Sequence, residues 1–231
     1  MDGTRDSGGT GRGRTAREQR LAVLRALDHL GRTTRARQQA RSALALLLRG
    51  NLHAHTTFSD GVRAPEALIS EYEARGYDFL AITDHVDRIP GGYWDALARL
   101  ESSLLLFHGI ELSYPPNDQH VGKVCGDRET LYVLNHPARY QLTIDETVDR
   151  IARISRSGWP IDAIEVTETG HYRPLYDSDA IPVVKIATDD AHRPSHFGRA
   201  WIEVDAPRDR DAIIRAVRAG DFRIAFASSS E

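Results

Sequence analysis

The sequence predicts an α/β fold in which a mostly parallel sheet is closed, or nearly closed, into a barrel. From residue 50 onward, seven or eight short apolar runs alternate with helical segments or loops, a pattern typical of βα units. A chain of 231 residues is long enough to bury one large core. A histidine or a carboxylate follows several of the apolar runs directly, which indicates a functional site at one end of the barrel.

Charge is distributed unevenly along the chain. Residues 1–50 carry a net charge of +7 and residues 51–231 a net charge of −10, which together give the total of −3. The acidic excess lies in the part that contains most of the histidines, and this combination favours a cation-binding pocket there.

Composition also excludes several classes of protein. The single cysteine, Cys125, rules out an internal disulfide. The longest apolar run, residues 43–48, is far too short to span a membrane. No secretory signal is recognisable, so we expect a cytoplasmic protein with no membrane partner.

The first 49 residues differ from the rest. Residues 1–15 are mostly Gly, Arg, Ser and Thr without apolar periodicity, and we predict a disordered tail. Leucines at helical spacing predict amphipathic helices over 16–30 and 35–48, within a basic helical extension over 16–49. A basic arm that binds nucleic acid or an acidic partner is the alternative. Arginine-rich helix faces are usually only solvated, so nucleic acid is not the partner we expect.

The remaining residues, 50–231, form the predicted main domain. Helical patterns predict four helices, over residues 65–75, 93–102, 143–157 and 211–219. Pro65 suits the first turn of its helix and Gly76 ends it, while Thr143 and Glu146 form a capping box. Buried strands are predicted over residues 79–83, 104–107, 131–134, 163–166, 183–187, 200–204 and 223–227.

The stretch 51–61 carries the first chemical signal. His53 and His55 are two residues apart, so an extended chain places both imidazoles on one face. Five residues later Asp60 offers a carboxylate, and Gly61 allows a tight turn beside it. Imidazole is the commonest protein ligand for metals. The alternative is that these histidines only occupy the solvent face of a strand, and the residues that follow decide between the two.

Four further predicted strands end in residues of the same chemistry. They are followed by Asp84 and His85, by Glu111, by His136, and by Asp189, Asp190 and His192. Parallel barrels collect their active sites at the C-terminal ends of the strands because all these ends point the same way. We therefore predict one metal site at this rim rather than scattered solvated histidines.

These motifs resemble those of a known family. His-Ala-His-Thr…Ser-Asp-Gly, Ile-Thr-Asp-His, Gly-Ile-Glu, Asn-His-Pro and Asp-Ala-His, in this order, are similar to the polymerase and histidinol phosphatase (PHP) superfamily of metallohydrolases. The motifs are most similar to those of its carbaryl-hydrolase-like (CehA/McbA-type) branch. The resemblance covers residues 50–231 and implies a distorted seven-stranded, TIM-like β/α barrel with two or three divalent metals.

The resemblance also implies a ligand set in three groups. Carried onto matching positions, the groups are His53, His55, Glu111 and Asp190; Asp60, His85 and a bridging Glu111; and His136, His192 and His120. For His120 a plain loop histidine is the alternative. Asp84 and Asp189 are expected to support ligands rather than to bind metal. Mixed imidazole and carboxylate sites suit Mn²⁺, Fe²⁺ or Zn²⁺, and two ions that share a carboxylate can activate a bridging hydroxide.

Two arginines at the same rim suggest the substrate. Arg139 follows the Asn-His-Pro motif and Arg193 follows Asp-Ala-His, and an anion such as phosphate would reconcile guanidinium with a metal cluster. Pairing of either arginine with Asp84 or Asp189 is the alternative. His171 is expected to line the mouth and His196 to donate a proton to the leaving group.

The sequence therefore predicts a metal-dependent hydrolase, a phosphoesterase that releases phosphate from a small phosphomonoester, with a nucleotide as one candidate. Asp60, Glu111, Asp190 and His196 are the predicted catalytic residues. Hydrolysis of a carbamate or another ester is the first alternative, and a non-catalytic module that binds metal or nucleic acid is the second. Substrate selection is assigned to the predicted loops 86–93, 114–123 and 171–180.

Overall fold

Residues 47–116 and 119–227, which the computed structural model describes, form a mixed α/β barrel. The strands are β1 (Leu47–Asn51), β2 (Phe79–Ile82), β3 (Leu105–Tyr114), β4 (Gln119–Cys125), β5 (Thr130–Leu134), β6 (Ala163–Glu165), β7 (Thr167–Glu168), β8 (His171–Tyr172), β9 (Val184–Ile186), β10 (Ala200–Asp205) and β11 (Phe222–Phe226). The helices are α1 (Pro65–Ala74), α2 (Tyr93–Ala98), α3 (Ile144–Arg156) and α4 (Arg210–Ala219).

Nine strands form the main sheet, in the order β11-β10-β1-β2-β3-β4-β5-β6-β9, and β7 pairs with β8 in a separate hairpin. Beyond β1 the chain continues to the segment after β9, where the His55 N–H donates to the Ala191 carbonyl over 2.9 Å. This contact brings the two ends of a seven-stranded wall together, so the sheet is nearly closed. The predicted barrel is confirmed.

The prediction of a mostly parallel sheet needs one correction. β4 is antiparallel to β3 and β5, and β10 is antiparallel to β1 and β11. The other seven strands of the sheet therefore share one direction, and their C-terminal ends meet at one rim.

Alternation along the strands separates the core into an inner and an outer part. Phe79 and Ala81 of β2 join a cluster with the buried face of α4, whereas Leu80 and Ile82 join a cluster with α1 and α2. A third cluster covers the strands next to α3. Apolar side chains thus fill the barrel beneath the rim and leave the rim to polar residues.

The four predicted helices are present, and local capping interactions account for several of their ends. Thr143 and Glu146 form the predicted capping box at α3. The Asp209 carboxylate caps α4, and Gly220 ends it in a left-handed conformation with φ 78°. α2 stops at Ala98, four residues before the predicted end.

Two segments differ from the prediction. Leu47 and Leu48 belong to β1 rather than to the end of a helix. Their spacing from Leu44 resembles a helical pattern, but Leu48 is buried and Leu47 is exposed, as alternation in a strand requires. Residues 119–125, which were partly predicted as a loop, form β4. The strand is hard to predict because Gly122 and the polar Gln119 and His120 weaken the apolar pattern.

The predicted tail 1–15, the helix over 16–30 and most of the helix over 35–48 lie outside the described residues. Within the described part of the chain, no helix has the length and apolar character that a membrane span requires.

Candidate metal centre

The nine side chains predicted as metal ligands converge at the barrel rim. Three come from the segment that follows β1, and the others follow or lie within β2, β3, β4, β5 and the segment after β9. Six of them are at most 5% exposed: His53, His55, His85, Glu111, His136 and Asp190. A seventh, His120, has 13% of its side chain exposed. Burial of this much ionisable surface is rare unless the groups are paired or hold a metal.

Glu111, in the middle of the long strand β3, lies at the centre of the cluster. Its Oε1 atom is 3.3 Å from His53 Nε2, 3.1 Å from His136 Nε2 and 3.2 Å from His120 Nδ1. Its Oε2 atom is 3.0 Å from His85 Nδ1 and 3.6 Å from His55 Nε2. One carboxylate thus faces five imidazoles, which is the geometry that a bridging ligand needs.

Asp190 is the second buried carboxylate. Its Oδ1 atom is 3.4 Å from the Nε2 atoms of both His53 and His55 and 3.5 Å from His192 Nδ1. The Asp190 backbone has φ 43°, and that of His136 has φ 27°. Such conformations are strained for residues other than glycine and are concentrated at functional sites.

Asp60 is the most exposed of the nine residues and lies at the outer edge of the cluster. Its Oδ1 atom is 3.3 Å from His192 Nε2 and 3.6 Å from His55 Nδ1, and its Oδ2 atom is 3.4 Å from His85 Nε2. The Oδ2 atom also accepts a hydrogen bond from Arg88 over 2.6 Å. Sequence reasoning did not consider this arginine.

Four sets of donor atoms lie close enough together to hold an ion. Within each set all ligand atoms are within 4.8 Å of one another, and the sets are His55, Asp60, His85 and His192; His53, His55 and Glu111; His53, His136 and Glu165; and His85, Glu111 and His120. His192 therefore lies with Asp60 and His85, and its ring stacks on that of His55 at 4.1 Å. This grouping differs from the implied one, which placed His192 with His136 and His120.

The donor set also passes a test of fit to a cation. Four buried atoms of the cluster have no hydrogen-bond partner in the described structure: Glu111 Oε2, His120 Nδ1, His136 Nδ1 and Asp190 Oδ1. Leaving a buried polar atom unpaired is costly. Divalent cations held by imidazole and carboxylate would satisfy such atoms. The cluster contains no thiolate, and a ligand set of this kind is typical of a catalytic rather than a structural metal site.

Electrostatics favours the same conclusion. Burial opposes ionisation of Glu111, but His53, His120 and His136 outweigh it and hold the pKa of Glu111 well below its ordinary value. The pKa of Asp190 is likewise lowered, since His53 and His55 outweigh the effect of burial. Burial lowers the pKa of His55. The carboxylates of the site are therefore ionised, the form that binds metal. The same carboxylates outweigh burial and raise the pKa of His53, His136 and His192, so a cation bound here would displace protons from these rings.

Glu165, at the end of β6, is a functional candidate that sequence reasoning missed. Its buried carboxylate is 2.8 Å from His53 Nδ1 and accepts hydrogen bonds from the His136 N–H over 2.8 Å and the Thr188 hydroxyl over 2.5 Å. It thereby fixes the ring orientation of His53. The signal available in the sequence was an acidic residue at the C-terminal end of an otherwise apolar strand.

Asn135 is a second functional candidate that sequence reasoning missed, although it belongs to the Asn-His-Pro motif. Its Nδ2 donates to Glu111 Oε1 over 2.8 Å. A Cβ atom on Gly122 would lie 2.9 Å from Asn135 Oδ1, so only glycine at 122 leaves room for this amide. Asn135 thus orients the central carboxylate from the neighbouring strand.

Asp84 and Asp189 support the site from outside, as expected. Asp84 accepts hydrogen bonds from the Thr56 N–H and hydroxyl and from the Ser59 hydroxyl, and so fixes the loop that carries Asp60. Asp189 accepts three backbone N–H groups at residues 198–200 and the Tyr72 hydroxyl. In the described structure neither aspartate pairs with Arg139 or Arg193.

Of the residues predicted to bind the substrate, Arg139 and Arg193 lie next to metal-ligand positions, whereas His171 does not. Arg139 is exposed in the short 3₁₀ turn Pro137–Tyr140 that follows His136, and Arg193 is exposed one residue after His192. His171 is exposed in the hairpin, and its Nε2 lies 3.1 Å from Arg199 Nη1. Among the described contacts it does not reach the cluster.

His196 is buried and occupied at both ring nitrogens. Its Nε2 accepts a hydrogen bond from Arg193 Nε over 2.9 Å, and its Nδ1 is 3.4 Å from the Asp190 carbonyl oxygen. Burial lowers the pKa of His196, which favours the neutral ring. This arrangement disfavours the predicted role as proton donor and makes His196 a residue that positions Arg193.

No protein-family model matches the chain. A stretch of 63 residues, 27% of this chain, is 40% identical to a 5′-3′ exoribonuclease of Haemophilus influenzae, and the match spans 23% of the length of that enzyme.

Solved structures of similar fold include the following two. One is a two-domain protein from Bacteroides vulgatus that contains a predicted PHP-like metal-dependent phosphoesterase, with a TM-score of 0.60 and 19% identity over 78% of this chain and 64% of that one. The other is an amidohydrolase from Chromobacterium violaceum with bound sulfate and no metal, with a TM-score of 0.54 and 17% identity over 78% of this chain and 99% of that one. At these identities the likeness shows the fold.

Proposed function

We propose that the chain is a PHP-type, divalent-metal-dependent phosphoesterase that hydrolyses a small phosphomonoester. The observation that carries the proposal is the convergence of Glu111 and Asp190 with a ring of buried histidines, several of whose polar atoms are unpaired. The neighbours of similar fold support it, because one contains a predicted PHP-like metal-dependent phosphoesterase and the other is an amidohydrolase.

We assign nine residues as ligands of two or three ions of Mn²⁺, Fe²⁺ or Zn²⁺: His53, His55, Asp60, His85, Glu111, His120, His136, Asp190 and His192. The chemistry of the donors fits these metals. When bound, such ions lower the pKa of a coordinated water and withdraw charge from a phosphoryl group. Glu165 and Asn135 hold His53 and Glu111 in place for them.

The arginines of the rim bind the substrate in this proposal. Guanidinium groups form paired hydrogen bonds with phosphoryl oxygens, and both Arg139 and Arg193 are exposed next to ligand positions. His196 fixes the direction of Arg193 through Nε. These contacts hold the phosphoryl group in the orientation that attack by water requires.

Hydrolysis of an amide, carbamate or carboxylic ester is the second candidate, favoured by the amidohydrolase with the same fold. A neutral carbamate makes no use of two arginines, however. The sulfate bound to that amidohydrolase is a tetrahedral oxyanion like phosphate, and the bond that an exoribonuclease cleaves is a phosphoester. Both points support the phosphoesterase.

Metal content and turnover, measured together, test the proposal. We expect two or three ions per chain and Mn²⁺-dependent release of phosphate from a panel of phosphomonoesters, with a loss of at least about 100-fold in Asp190→Ala. Arg210→Gln, at a surface pair with Asp127 far from the cluster, should behave as wild type. Turnover of carbamates alone would favour the second candidate, and a protein that binds no metal after reconstitution would exclude both.

A further inference from the structure

Arg88 lies on the loop between β2 and α2 and touches the outer edge of the cluster. Its Nη1 donates to Asp60 Oδ2 over 2.6 Å, while the same carboxylate belongs to the set His55, Asp60, His85 and His192. Half of the Arg88 side chain is exposed, against a third of that of Asp60. A positive group therefore shares a carboxylate with a candidate cation site at the point where the site opens to solvent.

We propose that Arg88 is a specificity-determining residue that recruits the anionic group of the substrate to the cation site formed by His55, Asp60, His85 and His192. The inference rests on the proposed function and adds to it a residue and a coupling between the substrate and the metal.

The two oxygens of Asp60 face different partners. Oδ1 is directed to His192 and His55, at 3.3 and 3.6 Å. Oδ2 is directed to His85 at 3.4 Å and to Arg88 at 2.6 Å. A cation among the imidazoles and the Arg88 guanidinium would thus flank one carboxylate from two sides. Because one negative charge does not neutralise both groups, each weakens the binding of the other.

An anion bound at the mouth of the site would relieve the repulsion between the cation and Arg88. A guanidinium has five N–H donors, and the contact with Asp60 uses one of them. Within the described residues Arg88 makes no other side-chain hydrogen bond, and half of its side chain is exposed, so its remaining donors are available to an incoming anion. Phosphoryl oxygens between Arg88 and the cation would attract both. Binding of the anion and binding of the cation therefore reinforce each other, and by linkage the effect is reciprocal.

An ordinary surface ion pair is the competing explanation. Such pairs contribute little and have no effect on distant binding. Arg210 provides the matched control, since its Nη2 is 2.7 Å from Asp127 Oδ1 at the opposite end of the barrel, also at a partly exposed pair. If Arg88 is only such a pair, Arg88→Gln and Arg210→Gln will have the same effect on metal and phosphate binding.

The test is Mn²⁺ binding to the full-length protein, with and without saturating inorganic phosphate, for wild type, Arg88→Gln and Arg210→Gln. In wild type we expect phosphate to tighten the weakest Mn²⁺ site by about 10-fold, within the usual range of coupling between sites. In Arg88→Gln we expect Mn²⁺ to bind more tightly than in wild type without phosphate, and phosphate to change its affinity less than about 2-fold. Arg210→Gln should match wild type.

Kinetics gives an independent reading. In Arg88→Gln we expect KM for a phosphomonoester to rise by about 10- to 100-fold, with kcat within about 3-fold of wild type, as for lost uniform binding. Unchanged KM together with full phosphate enhancement of Mn²⁺ binding would overturn the inference. Weaker Mn²⁺ binding regardless of phosphate would overturn it too, because Arg88 would then only orient Asp60. Either result in a protein that still binds Mn²⁺ and releases phosphate leaves the proposed function intact, whereas a wild-type protein that binds no Mn²⁺ excludes both.

Discussion

Glu165→Gln tests whether the carboxylate behind His53 is needed for metal binding. The substitution keeps the size of the side chain and removes its charge. In the native site this carboxylate lies 2.8 Å from His53 Nδ1 and also accepts the His136 N–H and the Thr188 hydroxyl. An amide has one acceptor oxygen and one NH₂ group, so at least one of these three donors would face the NH₂ group.

The expected magnitude follows from the position of Glu165 behind the ligands. Loss of a group that orients a metal-binding histidine reduces metal affinity by about 10- to 100-fold, equivalent to about 1.4 to 2.8 kcal/mol. At a saturating metal concentration the stabilisation of the folded protein by Mn²⁺ should fall by the same amount, since this stabilisation varies as RT ln(1 + [L]/Kd).

Calorimetric titration with Mn²⁺, together with thermal unfolding at matched Mn²⁺ concentrations, measures both quantities. Glu168→Gln is the control, because Glu168 lies three residues beyond the end of β6 and pairs at the surface with Arg173 over 2.7 Å. The reasoning is refuted if Glu165→Gln binds Mn²⁺ as tightly as Glu168→Gln does. A folded Glu165→Gln protein, checked by circular dichroism without metal, excludes misfolding as the cause of weak binding.

Three further outcomes are expected. Arg193→Ala should raise KM for a phosphomonoester by about 10-fold or more in steady-state assays with little change in Mn²⁺ stoichiometry, and an unchanged KM would exclude a substrate contact. Gly122→Ala should lower the free energy of unfolding by about 1–3 kcal/mol in urea titrations, because its Cβ would meet Asn135 Oδ1 at 2.9 Å; wild-type stability would contradict the close approach. The backbone N–H groups of Arg128 and Glu129 lower the pKa of Asp211, so this carboxylate stabilises the fold above its unfolded pKa of about 3.9 and loses that effect as pH falls through the lower folded pKa. The stability advantage of wild type over Asp211→Asn should therefore be full at pH 7 and shrink below about pH 4 in urea titrations across pH, and an advantage that grows in acid would contradict it.

Much of the fold could be predicted because local chemistry and tertiary structure agree. The capping box of Thr143 and Glu146 is a local signal, and α3 begins there. The two-residue spacing of His53 and His55 places both rings on one face wherever the chain is extended, and their Nε2 atoms are 2.9 Å apart. Such features depend on a few neighbouring residues.

Other features depend on contacts that no short stretch contains. Leu47 and Leu48 fit a helical spacing, but pairing of β1 with β10 decides their conformation. Glu165 is one polar residue in an apolar strand, and its role becomes visible only when His53, over a hundred positions earlier, lies 2.8 Å away. The sequence predicts His196 as a proton donor, whereas in the structure its Nε2 accepts a hydrogen bond from Arg193 Nε.

His120 shows why the rule about strand ends was incomplete. That rule applies to strands that share one direction, whereas β4 runs antiparallel to β3, with Ser113 opposite His120 and Glu111 opposite Gly122. The N-terminal end of β4 therefore lies at the rim where the other strands have their C-terminal ends. This reversal brings His120 Nδ1 to 3.2 Å from Glu111, and the glycine opposite Glu111 leaves room for Asn135 to donate to the same carboxylate. The antiparallel strand thus supplies a histidine and the space for an orienting amide around the residue that contacts most of the cluster.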